Sequence, residues 1–261
     1  GAAFTFTAAA TYPVAVNANP ATSISEDKPW LAVDAGAASS YSGNVYVSWT
    51  RFTANSDMIL FSRSTNHGQS WSAPLQISPA SQNGAVQGSN IGVGPNGEVY
   101  VVYEVYYVGG QRRHFMAVST TGGQSFSPAV AITPYFNELS FNSTYRKNSF
   151  ASIAVSPNGF IHVVYADYPS STNGAEVRYV RSTSAGVTTF TSPVVLNDAP
   201  KGQQFFPAIT ADSSGRLHAC WFDTRNSAKR SSKYDIYATF SSDNGATFGQ
   251  NTRVTPALIN A

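Results

Sequence analysis

The chain has 261 residues, with 16 Lys and Arg against 14 Asp and Glu, a formal charge of +2 and one cysteine. So weak a field speaks against nucleic acid or an acidic membrane as partner, and Cys220 alone makes neither an internal disulfide nor a cysteine-based zinc site. A hydrophobic content of 42% with 13% aromatics excludes a disordered chain, and only 11% of residues are charged, which leaves Ser, Thr, Asn and Gln to form most of the polar surface. That balance suits a secreted or cell-surface protein. No apolar run approaches the roughly 20 residues that span a bilayer, and nothing at the start reads as a leader.

In chain order, residues 1–20 come first as a single strand or arm: Gly1-Ala2-Ala3-Phe4 matches Gly245-Ala246-Thr247-Phe248, and residues 12–16 read as strand. From about residue 24 one phrase returns four times. Its hairpins turn at Gly43, Gly97, Gly159 and Gly215, spaced by 54, 62 and 56 residues. Asn96-Gly97 and Asn158-Gly159 are strong tight-turn signals, because both residue types tolerate positive φ. The strands that follow alternate and are rich in Val, Ile and aromatics, and no segment carries a 3.6-residue stripe. The chain is all-β.

A third strand then leads in each unit to a second kind of turn. It reads Ser64-x-x-x-Gly68-x-x-Trp71, then Ser119-x-x-x-Gly123-x-x-Phe126, then a looser copy from Ser182 to Phe190, then Ser242-Asp243-x-Gly245-x-x-Phe248. Gly68, Gly123, Gly186 and Gly245 are spaced by 55, 63 and 59 residues, in step with the hairpin glycines. Two independent markers on one period announce a repeat architecture. A short fourth strand closes each unit at 74–77, 130–132, 194–196 and 252–254.

This second turn resembles the Asp box, or bacterial neuraminidase repeat, Ser-x-Asp-x-Gly-x-Thr-Trp, of the sialidase superfamily. The resemblance implies a β-propeller of four-stranded antiparallel blades, with the box between third and fourth strands. The turn chemistry agrees: Ser and Asp bond turn backbone, Gly supplies positive φ, and the aromatic plugs between strands. One propeller domain is expected, with blades over 24–79, 84–134, 148–198 and 204–256 and residues 1–20 as an extra outer strand. Either that strand packs on a small closed propeller, or the chain is part of a larger one completed elsewhere, including by another copy.

Ligand chemistry is expected on the face opposite the boxes, where second strands end at Trp49, Tyr103, Tyr165 and Trp221. Arg51, Glu104, Asp167, Asp223 and Arg225 follow these aromatics, and the lead-in segment of the first blade adds Asp27, Lys28 and Trp30. Charge gathered on one rim of a charge-poor chain points to a site. Asp167, Asp223 and Glu104 are candidates for the acid and base of glycoside hydrolysis. They serve equally as ion-pair partners of Arg51 and Arg225, or as oxygen ligands for Ca²⁺, the one metal considered; no cofactor is otherwise expected. Trp30 and Tyr168 are candidate sugar-stacking rings beside the ligand-binding candidates Arg51, Arg225, Asp27 and Lys28. His162, His218 and Cys220 read as packing residues within strands.

The resemblance is incomplete. Sialidases hold the substrate carboxylate with three arginines, the first in an Arg-Ile-Pro-like motif, whereas the corresponding positions here read Lys28-Pro29-Trp30 and Phe206-Pro207-Ala208. A lysine is a point charge rather than a planar fork. Recognition of a glycan or a surface protein is therefore the preferred reading. A sialidase-like glycoside hydrolase, and an assembly module that self-associates through the N-terminal strand, are the alternatives.

Overall fold

Hydrophobic alternation resolves into four antiparallel sheets in the computed structural model, which describes residues 15–17, 23–142, 146–172, 174–199, 201–227 and 232–260. The first sheet holds β1 (Ser25–Val33), β2 (Val45–Phe52), β3 (Asp57–Ser64) and β4 (Leu75–Gln76). The second holds β5 (Val86–Val93), β6 (Val99–Tyr106), β7 (Gln111–Ser119), β8 (Val130–Ala131) and β9 (Phe136–Asn137). The third holds β10 (Ser152–Val155), β11 (Ile161–Asp167), β12 (Glu176–Arg181) and β13 (Val194–Val195). The fourth holds β14 (Gln204–Ala211), β15 (Leu217–Asp223), β16 (Lys233–Ser241), β17 (Thr252–Arg253) and β18 (Ile259–Asn260).

Within each sheet the first four strands pair in sequence order as a meander, and the fold is an all-β propeller. Two blades are five-stranded rather than four-stranded as expected. β7 and β16 are nine residues long, and the two-residue strands β8 and β17 cover only part of them. β9 and β18 pair with the remaining stretch, which shortens an otherwise open edge. The N-terminal strand expected over 1–20 lies outside the described residues except for 15–17, where Val16 packs against the Val47, Trp49 and Leu60 cluster.

The inner strands neighbour one another in the order β1, β5, β10, β14; no comparable contact joins β14 back to β1 among the described residues. The core lies between blades, and strand alternation assigns it. On β6, Val99, Val101 and Tyr103 face the first blade with Tyr46 and Phe61, while Tyr100 and Val102 face the third with Ile153 and Val163. Between the third and fourth blades Val164 and Tyr179 meet Leu217 and Trp221. Each such side chain taken from water contributes roughly 1.5–3 kcal/mol.

The glycine turns after the third strands sit on the underside. Ser64 Oγ accepts the Gly68 N–H at 2.8 Å and Ser119 Oγ that of Gly123 at 2.9 Å. In the fourth blade the closing hydroxyl belongs to Ser241, not to the expected Ser242: its Oγ accepts the Gly245 N–H at 2.9 Å and donates to Asp243 Oδ1 at 2.7 Å. Of the two serines only Ser241 alternates inward, in step with 235, 237 and 239 on β16, and Ser242 is exposed. Ser182 also departs from the expected role, because its hydroxyl accepts the Ile161 N–H at 3.0 Å across its own sheet and the longer turn closes by a Ser182–Phe190 bridge.

Candidate functional site

Three inner strands carry a β-bulge at the same height. Pairing slips between Asp27 and Trp30, between Gln87 and Asn90, and between Phe205 and Ala208. Each bulge needs a residue in the left-handed region, supplied by Gly88 at φ 71° but also by Lys28 at 54° and Phe206 at 49°. Gly88 has no alternative, since a Cβ there would enter the Phe150 ring. A Lys or a Phe in that region costs about 1–2 kcal/mol, and bulges and stored strain gather at functional rims.

The bulges surround an axial pocket of about 330 Å³ at the upper end of the four inner strands. Lys28 and Trp30 come from β1, Ser89 and Asn90 from β5, Asn148 and Phe150 from the segment before β10, and Phe206 from β14. Trp30 is 46% exposed, and the Lys28 ammonium stands 5.6 Å from the centre of the Phe150 ring. Ser89 is buried with its hydroxyl unpartnered. Flat rings, amides and a cation around a modest hollow match the demands of a sugar: C–H faces to stack and hydroxyls to bond.

A second cavity of about 280 Å³ adjoins it between the second and third blades, sharing Asn148 and Phe150. Its walls include Glu104, Arg112, Glu138, Arg146 and Lys147. Glu104 is 2% exposed, and its Oε2 has no hydrogen-bond partner. Burial pushes its carboxyl up to about 8, against the lowering effect of Arg112, whose Nε lies 3.4 Å from Oε1. Glu138 adds to the rise; it pairs with the other side of the same guanidinium at 2.7 Å. Burial thus favours the protonated form of Glu104.

His114 lies behind it, 3.7 Å from Glu104 Oε2, fully buried and stacked on Phe136 with ring centres 4.8 Å apart. Burial depresses its pKa to about 3, so the contact joins two neutral groups rather than an ion pair. Neither ring nitrogen of His114 has a geometric hydrogen-bond partner. A buried acid with one unpartnered oxygen and a buried imidazole touched by the Ser149 backbone stand together behind one polar cavity. From sequence His114, beside Arg112 and Arg113 in a hairpin, reads as solvated; its full burial opposite Glu104 across β6 and β7 corrects that.

The other expected residues divide. Lys28 and Trp30 line the axial pocket with the cavity of Glu104 beside it. Asp223 is fully buried, and its oxygens accept from Gln204 Nε2, Trp221 Nε1, the Arg225 backbone N–H and the Arg225 guanidinium at 2.7–3.2 Å. Arg225 also reaches Asp198 at 2.7 Å and lies 3.9 Å over the Tyr237 ring. Arg51 is held by Glu26 through Nε and Nη2 at 2.9 and 2.6 Å, while Trp49 Nε1 donates to the same carboxylate.

Asp27 accepts from Gln87 at 3.2 Å. Asp167 accepts the Asn137 N–H at 3.1 Å and stands 3.5 Å from Arg178 Nε, with burial pushing its carboxyl up. Tyr168 packs beside Phe141. These groups brace blade ends and lie outside both cavities. Among the described residues no three His, Cys, Asp or Glu side chains gather as a metal-holding group.

No protein-family model matches the sequence, and no curated protein matches it either. The fold is similar to solved structures. An alpha-L-arabinanase of Penicillium chrysogenum, complexed with arabinobiose, superposes with TM-score 0.64 at 14% identity over 87% of this chain and 66% of its own. The GH93 alpha-L-arabinofuranosidase of Fusarium graminearum gives 0.64 at 9% identity over 90% and 69%, and the NanB sialidase of Streptococcus pneumoniae gives 0.57 at 11% over 89% and 52%. The chain thus spans about two thirds of the first two and half of the third. These likenesses establish the propeller fold and its occurrence in glycosidases.

Proposed function

We propose that the upper face binds a glycan, with the axial pocket as the platform for one sugar ring. The observation that carries this reading is the adjacency of an aromatic, amide-lined hollow to a polar cavity with an unpartnered, buried carboxyl. The underside turns fit an Asp-box propeller, and a secreted or surface location fits a glycan ligand. Binding on a glycan array should disappear in Trp30→Ala. Retention of the same glycan profile by that variant would overturn the assignment of the platform.

Glycoside hydrolysis is the second reading, favoured specifically by Glu104. A carboxylic acid kept neutral at pH 7 is able to give its proton to a departing glycosidic oxygen, and Glu138, across Arg112, is the second carboxylate that would activate water. An alpha-L-arabinanase, an alpha-L-arabinofuranosidase and a sialidase among the similar structures make arabinosides and sialosides the first substrates to try. Release of a fluorogenic aglycone that is abolished in Glu104→Gln would support hydrolysis. Binding without turnover leaves recognition as the function.

A further inference from the structure

The bulge on β5 hands that strand from one cavity to the other. Gln87 stands opposite Glu104 in the register and lines the cavity between the second and third blades. Past the slip at Gly88, the consecutive residues Ser89 and Asn90 both line the axial pocket, which an unbroken strand forbids because neighbouring side chains alternate between faces. Gly88 also admits the Phe150 ring, and Phe150 and Asn148 belong to the walls of both cavities. Singly, volumes of about 330 and 280 Å³ lie at the low end of ligand pockets, which run from about 300 to 1,000 Å³; taken as one cleft they fall well inside that range.

Hydrogen-bonding groups without partners occur in both hollows. In the axial pocket it is the Ser89 hydroxyl, on a residue 4% exposed. In the side cavity it is the Ser149 hydroxyl and Glu104 Oε2, on residues each 2% exposed. The Asn148 amide, half-buried and common to the two, meets no hydrogen-bond partner among the described residues. Buried polar groups are ordinarily bonded, so several left open along one cleft point to a ligand that bonds them. What they ask for is hydroxyl groups rather than charge. Arg112 is engaged between Glu104 and Glu138, Lys147 donates to the Phe141 carbonyl, and only Arg146 stands exposed.

We propose that the two hollows are adjacent subsites of one cleft, which takes a glycan of at least two linked units. The inner unit occupies the axial pocket and bonds Ser89. The outer unit lies between the second and third blades and bonds Ser149 and Glu104. Asn148 serves both units beside their linkage, and the Phe150 ring is the apolar surface they share. This arrangement presupposes the axial pocket as a sugar platform and fixes two things that pocket alone does not: the length of the ligand and the direction in which it leaves the axis.

Ligand length is read by an array carrying arabinose, xylose, glucose, galactose, mannose and galacturonate, each as the single sugar and as its linked disaccharides, with calorimetry on the preferred series. The disaccharide should bind about tenfold or more tightly than its monosaccharide, the equivalent of at least one further buried hydrogen bond. Ser89→Ala should weaken both. Ser149→Ala removes a hydroxyl that bonds nothing in the free protein; it should weaken the disaccharide about fivefold and leave the monosaccharide within about twofold, which also shows the variant to be folded. Equal affinity for single and linked sugars in wild type, or a disaccharide preference untouched in both Ser149→Ala and Asn148→Ala, would overturn the outer subsite and leave the axial platform standing. Failure of every sugar, single or linked, to bind at millimolar concentration would overturn the platform itself and the outer subsite with it.

Discussion

Glu104 and Asp223 stand at the same end of equivalent second strands, and both side chains are almost wholly withdrawn from water. Asp223 meets donors on both oxygens and binds Arg225 and Trp221 into the top of the fourth blade. Glu104 faces a cavity with one oxygen unpartnered, and burial rather than bonding sets its protonation. The cause is a single residue of register. Asp223 follows its marker aromatic by two positions and shares its side of the sheet; Glu104 follows Tyr103 by one and turns to the other side, between blades. Burial alone therefore does not tell the two carboxylates apart; an oxygen left without a donor does.

The largest way to sharpen that contrast is Asp223→Ala. Removing one partner of a fully bonded buried pair should cost about 3–5 kcal/mol in urea unfolding, and a loss below 1 kcal/mol would mean the network is ornamental. Glu104→Gln should do the opposite: in acid, where folded and unfolded wild type both carry the neutral acid, its stability should lie within about 1 kcal/mol of wild type, and at neutral pH it should exceed wild type by about 3 kcal/mol.

The pH dependence separates the two further. Glu104 binds its proton more tightly in the folded state, so its stabilising effect is complete below the ordinary carboxylate range and is lost as pH rises toward about 8. Relative to Glu104→Gln, wild-type stability should fall by about 1.4 kcal/mol per pH unit across that window and level off above it. A flat difference would place Glu104 among ionised, well-bonded carboxylates like its counterpart.

On the underside, Ser241→Ala should cost about 1–2 kcal/mol by leaving the Gly245 N–H without its acceptor, and Ser242→Ala should stay within about 0.5 kcal/mol. The smallest expected effect is a gain. Lys28→Gly should relieve left-handed strain and raise stability by about 0.5–1 kcal/mol while weakening ligand binding, the signature of strain kept for function. A variant that is both more stable and equally competent would detach the bulge from the site.

The repeat, the strand order and the position of the underside turns were legible because glycines and hydrophobic alternation are local signals with a fixed period. Ser242 was misplaced by one residue for the same reason: two serines stand side by side, and only strand alternation picks Ser241. The rim carboxylates were visible as a group, but their roles were not, since sequence distance from an aromatic does not reveal which side of a sheet has a neighbour. Lys28 and Trp30 were found from their place before the first strand; the left-handed bulge beneath them requires coordinates, because nothing in Lys-Pro-Trp announces positive φ. His114 was read as solvated because two arginines precede it, and only the register opposite Glu104 shows that it is buried. The openness of His218 and Cys220 escaped because matched positions in other blades are buried.

Calorimetric titration of the best glycan from an array into wild type, Trp30→Ala, Glu104→Gln and Ser242→Ala probes the upper face most directly. Affinity should drop at least tenfold in the first two variants and stay unchanged in Ser242→Ala on the opposite side. Equal affinity in all four proteins, or no glycan bound even at millimolar concentration, would contradict a sugar site at the axis of this propeller.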